Sequence, residues 1–228
     1  MKNLDAIADA VRADFEATNV QREAALSASR SLIRRCSEMI KTVHRLQWDL
    51  VEERQSIMHA AVAELRAAIK DQPQLEYSGY SQDALKEYVE AELTFAIVRG
   101  AEEFPTPQDL DVGPDTYLNG MAEAASEIRR YILDRLRNDK AEDVEQLLDV
   151  MDTIYTMLFS FDFPDAITGG LRRHVDQLRA VLERTRGDVT ASVREQRLMA
   201  AMREFEGRLG VEGSSVHGLQ FTEDGAEV

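Results

Sequence analysis

The chain has 228 residues, 44% hydrophobic and 30% charged, with a formal net charge of −15, values of a globular chain able to bury a core rather than of a disordered one. Cys36 is the only cysteine, which excludes an intrachain disulfide and a cysteine-based zinc site. Five lysines stand beside 22 arginines among 42 acids, a balance that argues against a generic nucleic-acid or anionic-membrane surface and resembles proteins of salt-loaded cytoplasms, whose carboxylates keep them hydrated.

In chain order, Leu4, Ile7, Ala8, Val11 and Phe15 recur at helical spacing, and Leu26, Leu32, Ile33, Met39, Ile40, Val43 and Leu46 form a second, longer stripe. Thr18 with Gln21 fits a capping box between two helices, and one continuous helix fits equally well. Val51, Ile57, Ala61, Leu65 and Ile69 predict a helix from about Trp48 to Lys70, ended near Gln72 and Pro73. Tyr77, Ser78, Gly79 and Tyr80 read as a loop or helix entry, after which Leu85, Val89, Leu93, Ala96 and Ile97 predict a helix over 82–99, closed by Gly100. Pro114 and Asp115 open a helix that runs to about Asn138.

Val144, Leu147, Leu148, Met151, Ile154 and Leu158 mark a shorter helix over 141–161, broken at Phe163, Pro164 and Asp165. Thr168, Gly169 and Gly170 lead into a helix over 171–186 that stops at Gly187, and a last one covers roughly 189–208. No window alternates as a strand does. The expectation is an all-α, single-domain bundle of six or seven helices over residues 1–209, with a flexible acidic tail at 210–228. Neither a signal peptide nor the ~20 apolar residues of a membrane span occurs, so a cytoplasmic location is expected. Trp48 and the group Phe159, Phe161 and Phe163 read as core or subunit-contact residues.

The phosphate-loop, dinucleotide and nucleophile-elbow signatures are missing. His44, His59, His174 and His217 lack the spacing that would place two of them on one metal, so each reads as structural or exposed. The carboxylates say more. Glu87 and Glu90 are three residues apart and Glu123 and Glu127 four apart, each pair on one helical face. If the two helices pack together, four carboxylates converge, as in helical bundles that bind divalent ions, and Gly120 and Ala124 on the second face permit a close approach. All-carboxylate ligation favours Mg²⁺ or Mn²⁺ over zinc. The same spacings are common on solvated helix faces of acidic proteins.

Leu85-Lys86-Glu87-Tyr88-Val89-Glu90-Ala91 resembles the Gln-Glu-Tyr-Val-Glu-Ala segment of the factor X branch of the translin family. Tyr117-Leu118-Asn119-Gly120-Met121-Ala122-Glu123, with Ser126 to Arg130, is similar to that family's Tyr-Leu-x-Gly…Glu-Leu-x-Arg stretch. Ser29-Arg30 through Val43-His44-Arg45 and Leu178 to Gly187 extend the resemblance over roughly residues 20–188. It implies a translin-like fold and an endoribonuclease for single-stranded or small structured RNA, with Glu87, Glu90 and Glu123 catalytic and Glu127 joining them around Mg²⁺ or Mn²⁺. It also implies a homo-oligomer of six or eight subunits, or a hetero-oligomer with a translin-like partner. The alternative is a non-catalytic oligomer that binds single-stranded RNA or DNA.

Two departures stand out. Glu123 occupies a position that is aspartate in factor X, and Tyr77 to Asp83 replaces the basic and histidine residues that translin carries before the first carboxylate. Candidates for RNA contact are therefore Arg30, Arg34, Arg35 and Arg45, with the Arg172-Arg173 pair, and Tyr77 or Tyr80 as stacking platforms.

Overall fold

The computed structural model describes residues 3–138 and 144–209, among which there are eight helices and no strand. The expected tail at 210–228 and the predicted helix start at 141–143 lie outside the described residues. In order, the helices are α1 (Leu4–His44), α2 (Trp48–Ile69), α3 (Pro73–Glu76), α4 (Gly79–Arg99), α5 (Pro114–Arg137), α6 (Val144–Phe159), α7 (Asp165–Thr168) and α8 (Leu171–Leu209). Six are long, as the periodicity predicts, and α3 and α7 are single turns. No helix among the described residues is long and apolar enough to cross a membrane.

The first stripes fuse into one helix of 41 residues, so Thr18 caps nothing. Its turn into α2 is made by Leu46, which takes the left-handed conformation at φ 54° while its N–H returns to the Val43 carbonyl. Pro73 ends the extension of α2 and also starts α3, where a missing N–H costs nothing. Gly100 closes α4 at φ 71°. Gly187 differs from expectation: it is not a stop, and α8 continues through it for 39 residues in all.

Contacts divide the chain into two compact units, residues 1–187 and 188–228. In the first, the long helices pack in the order α2, α1, α4, α5, α6, each against the next. Leu32 and Met39 of α1, Met58 and Leu65 of α2, Leu93 of α4, Ile128 and Ile132 of α5 and Met151 and Leu158 of α6 are fully buried. α4 lies at the centre of this row and buries Ala84, Val89, Ala91, Leu93 and Thr94 with no solvated face of its own. Asp83 near its start is exposed, whereas further along Glu87 and Glu90 are half-buried and Glu92 is buried. In the second unit the described part is the stretch 188–209 of α8, with Leu198, Met199, Met202 and Phe205 exposed.

Two surfaces depart from a core reading. Trp48, Phe159, Phe161 and Phe163 are exposed by 36% or more; for Phe159 this follows because the inner face of α6 is taken by Met151, Ile154 and Leu158. On α1 nothing is buried before Ala25, and Leu4, Ile7, Val11 and Phe15 form an exposed apolar stripe.

Candidate metal centre

α4 and α5 meet at a glycine. A Cβ on Gly120 would lie 2.7 Å from Val89 Cβ and 2.8 Å from the Lys86 carbonyl oxygen, closer than any side chain tolerates. Ala124, one turn on, is fully buried in the same seam. This approach carries Glu123 of α5 to Glu87 and Glu90 of α4, so that one ligand oxygen from each lies within 4.8 Å of the other two. Of the four carboxylates expected to converge, Glu87, Glu90 and Glu123 form this group.

Their electrostatics follow from burial. Glu90 is pushed up to about 8 by desolvation and then by the charges of Glu87, Glu123 and Glu127, with Lys86 opposing. Glu87 is raised for the same reasons, burial first and Glu123 next. Lys86 donates from Nζ to Glu123 Oε1 at 2.8 Å. Burial works to lower its pKa, but the hydrogen bond and charge of Glu123 prevail and hold it above the ordinary lysine value. One ammonium thus partly offsets three acids, and the remaining negative field and oxygen donors fit a hard divalent cation.

Glu127 stands apart from the group of three. Its Oε1 is held at 2.7 Å by Nε2 of His44, whose side chain is 2% exposed and whose Nδ1 finds no hydrogen-bond partner among the described residues. Behind α4, Cys36 of α1 is completely buried, and burial together with Glu87, Glu90 and Glu92 pushes its thiol far above the ordinary value. Glu92 points elsewhere, paired with His59 Nε2 at 2.6 Å and Gln55 Nε2 at 2.9 Å.

No protein-family model matches the chain. An uncharacterized protein of Methanocaldococcus jannaschii is 27% identical over 190 residues, spanning 81% of this chain and 82% of its own. Among solved structures, AfC3PO is 32% identical with a TM-score of 0.72, covering 83% of this chain and 98% of its own. The chain belongs to the translin family. AfC3PO has also been solved in complex with duplex RNA, and that structure matches equally well. Apo-NeC3PO, with a TM-score of 0.73 over 84% of this chain but 17% identity, shares the fold.

Within this translin-family fold, the arginines singled out from sequence separate by environment. Arg30, Arg34 and Arg45 are exposed, and spacings of 4 and 11 residues return them to nearly the same side of α1. Exposed Lys41 falls on that side too, a residue the sequence reading passed over. Arg35 lies off this line, half-buried and paired with Glu38 at 3.0 Å. Tyr77 is 75% exposed and Tyr80 half-buried, so of the two only Tyr77 offers an open ring face. Arg172 and Arg173 are exposed at the start of α8.

Of the four histidines, which the sequence reads as structural or exposed, His217 lies outside the described residues. His44, His59 and His174 each hold a polar partner from another helix, which their isolation in the sequence concealed. For His44 a signal existed, since it lies within the Val43-His44-Arg45 match to the family; for His174 there was none.

Proposed function

We propose that the chain is a divalent-metal-dependent endoribonuclease acting on RNA within an oligomer. The observation that carries this reading is the convergence of Glu87, Glu90 and Glu123 within 4.8 Å, with Lys86 the cation bonded to one of them. Like charges at this range are costly without a counter-ion, and the donor set fits Mg²⁺ or Mn²⁺. When bound, such an ion lowers the pKa of water and offsets the charge that develops on a phosphodiester.

The protein's own residues would do the rest. Glu87, Glu90 and Glu123 hold the ion, and His44 keeps Glu127 beside it without placing it among the ligands. Arg30, Arg34 and Lys41 of α1, with Arg45 just past its end, are exposed at spacings that favour one side of the helix, suited to phosphates, and Tyr77 could stack on an unpaired base. The structure of AfC3PO with duplex RNA supports RNA as the ligand class. The apolar stripe of α1 supports assembly through this helix, since an exposed row of large side chains marks an interaction surface.

The test is cleavage of labelled single-stranded RNA with and without Mg²⁺. Glu90→Gln should lower Mg²⁺-dependent cleavage at least about 100-fold, the scale expected when metal-assisted chemistry is removed, while helical content and assembly stay unchanged. Undiminished cleavage by E90Q would discard the carboxylate mechanism. Salt-sensitive binding of RNA or single-stranded DNA without products in any divalent ion would instead favour the non-catalytic shell.

A further inference from the structure

The centre holds a cation of its own. Nζ of Lys86 donates to Oε1 of Glu123 at 2.8 Å, with the two side chains only 18% and 27% exposed. The seam at Gly120 fixes this reach, since it sets α5 against the backbone of Lys86 itself. An open lysine–glutamate pair on a surface contributes little. This one bridges two helices among the acids and feels Asp83 and Glu87 besides Glu123. The factor X segment that this stretch resembles has glutamine at the position, so the charge is a departure of this chain from that segment.

An ammonium and a divalent ion compete for the same carboxylate. For metal–oxygen bonds slightly over 2 Å, an ion on either oxygen of Glu123 would lie roughly 4–6 Å from Nζ, a range at which like charges oppose each other strongly in a partly desolvated site. Lys86 must then leave Glu123 or stay beside the ion, and both weaken the ion's hold. For an anion the sign reverses. A phosphodiester approaching the centre meets three carboxylates, and the ammonium offsets one of them. We infer that Lys86 sets the charge balance of the centre: it competes with the divalent ion for Glu123 and, with the ion in place, favours the approach of an RNA phosphate. Asp83, Glu127 and His174 also neighbour the group. A change at Lys86 leaves them in place, so loss of its charge moves the two affinities in opposite directions. The inference rests on the carboxylate reading above.

Two titrations of the full-length protein test the two halves without reference to activity: calorimetry with Mn²⁺ alone, then binding of a cleavage-resistant phosphorothioate RNA at saturating Mn²⁺. Lys86→Met and Lys86→Gln should bind Mn²⁺ at least about 10-fold more tightly, the scale of one charge-assisted hydrogen bond. They should bind the RNA at least about threefold more weakly, the scale of one phosphate contact. Lys86→Arg keeps the charge and should stay within about twofold of the natural protein in both, with circular dichroism showing that each variant is folded. A lysine that merely props Glu123 predicts the reverse for the metal. Mn²⁺ binding that K86M and K86Q weaken or leave unchanged, while E90Q abolishes it, would overturn the role of Lys86 and leave the carboxylate site standing. Tighter Mn²⁺ binding with RNA binding undiminished would overturn its part toward RNA. Mn²⁺ binding that E90Q leaves intact would overturn the carboxylate reading and this one with it.

Discussion

Glu90 holds its proton more tightly in the folded chain, up to about 8 against an ordinary value of 4.5. A folded state that binds more protons than the unfolded one loses stability as pH rises. For the metal-free protein this contribution is complete below about pH 4.5 and lost progressively toward pH 8. Urea midpoints should accordingly fall between pH 5.5 and 8 in the natural protein and stay flatter in E90Q; parallel curves would refute the assignment. Ligation displaces the same proton, so affinity for Mn²⁺ should increase over that interval. The acidic residues of the site were legible in the sequence because Glu87 and Glu90 share a helical face whatever the fold does. The contact of His174 with Asn119 was not legible, because the two lie 55 residues apart and spacing does not encode how the turn at Gly169 closes over Asn119.

The seam between α4 and α5 gives a consequence at the level of elements. Gly120→Ala would drive a methyl into the Lys86 carbonyl and Val89, and backbone cannot yield as a flexible side chain does. Overpacking of this kind costs about 1–3 kcal/mol, and it should also spread the carboxylates. Thermal unfolding with a parallel Mn²⁺ titration should show both losses in G120A and neither in Gly79→Ala, where no atom lies within 4 Å; an unperturbed G120A would contradict the close approach. Helix limits were legible where local chemistry decides them, as at Pro114 and Gly100. Gly187 misled because a glycine ends a helix only by turning left-handed, and this one does not. Within a helix it costs about 1 kcal/mol relative to alanine, too little to interrupt 39 residues.

For the molecule as a whole, the apolar stripe of α1 has no cover among the described residues. Phe15, at 69% exposure its most open member, is the place to test assembly. Phe15→Asp should lower the mass seen by sedimentation without changing helical content, whereas an unaltered mass would remove α1 from the contact. Periodicity revealed this stripe, yet it could not say whether Leu4 to Phe15 faces its own chain or another, since both bury the same residues. Cys36 offers a measure of the opposite kind, of what stays closed. Its thiol is sealed beneath the carboxylates and cannot readily ionise, so a thiol reagent reaches it only when α1 lifts from α4. The rate of labelling then counts openings of the wall behind the centre. Because repulsion among Glu87, Glu90 and Glu123 strains that wall, a divalent ion should slow the count, giving an intrinsic clock for occupancy that needs no RNA.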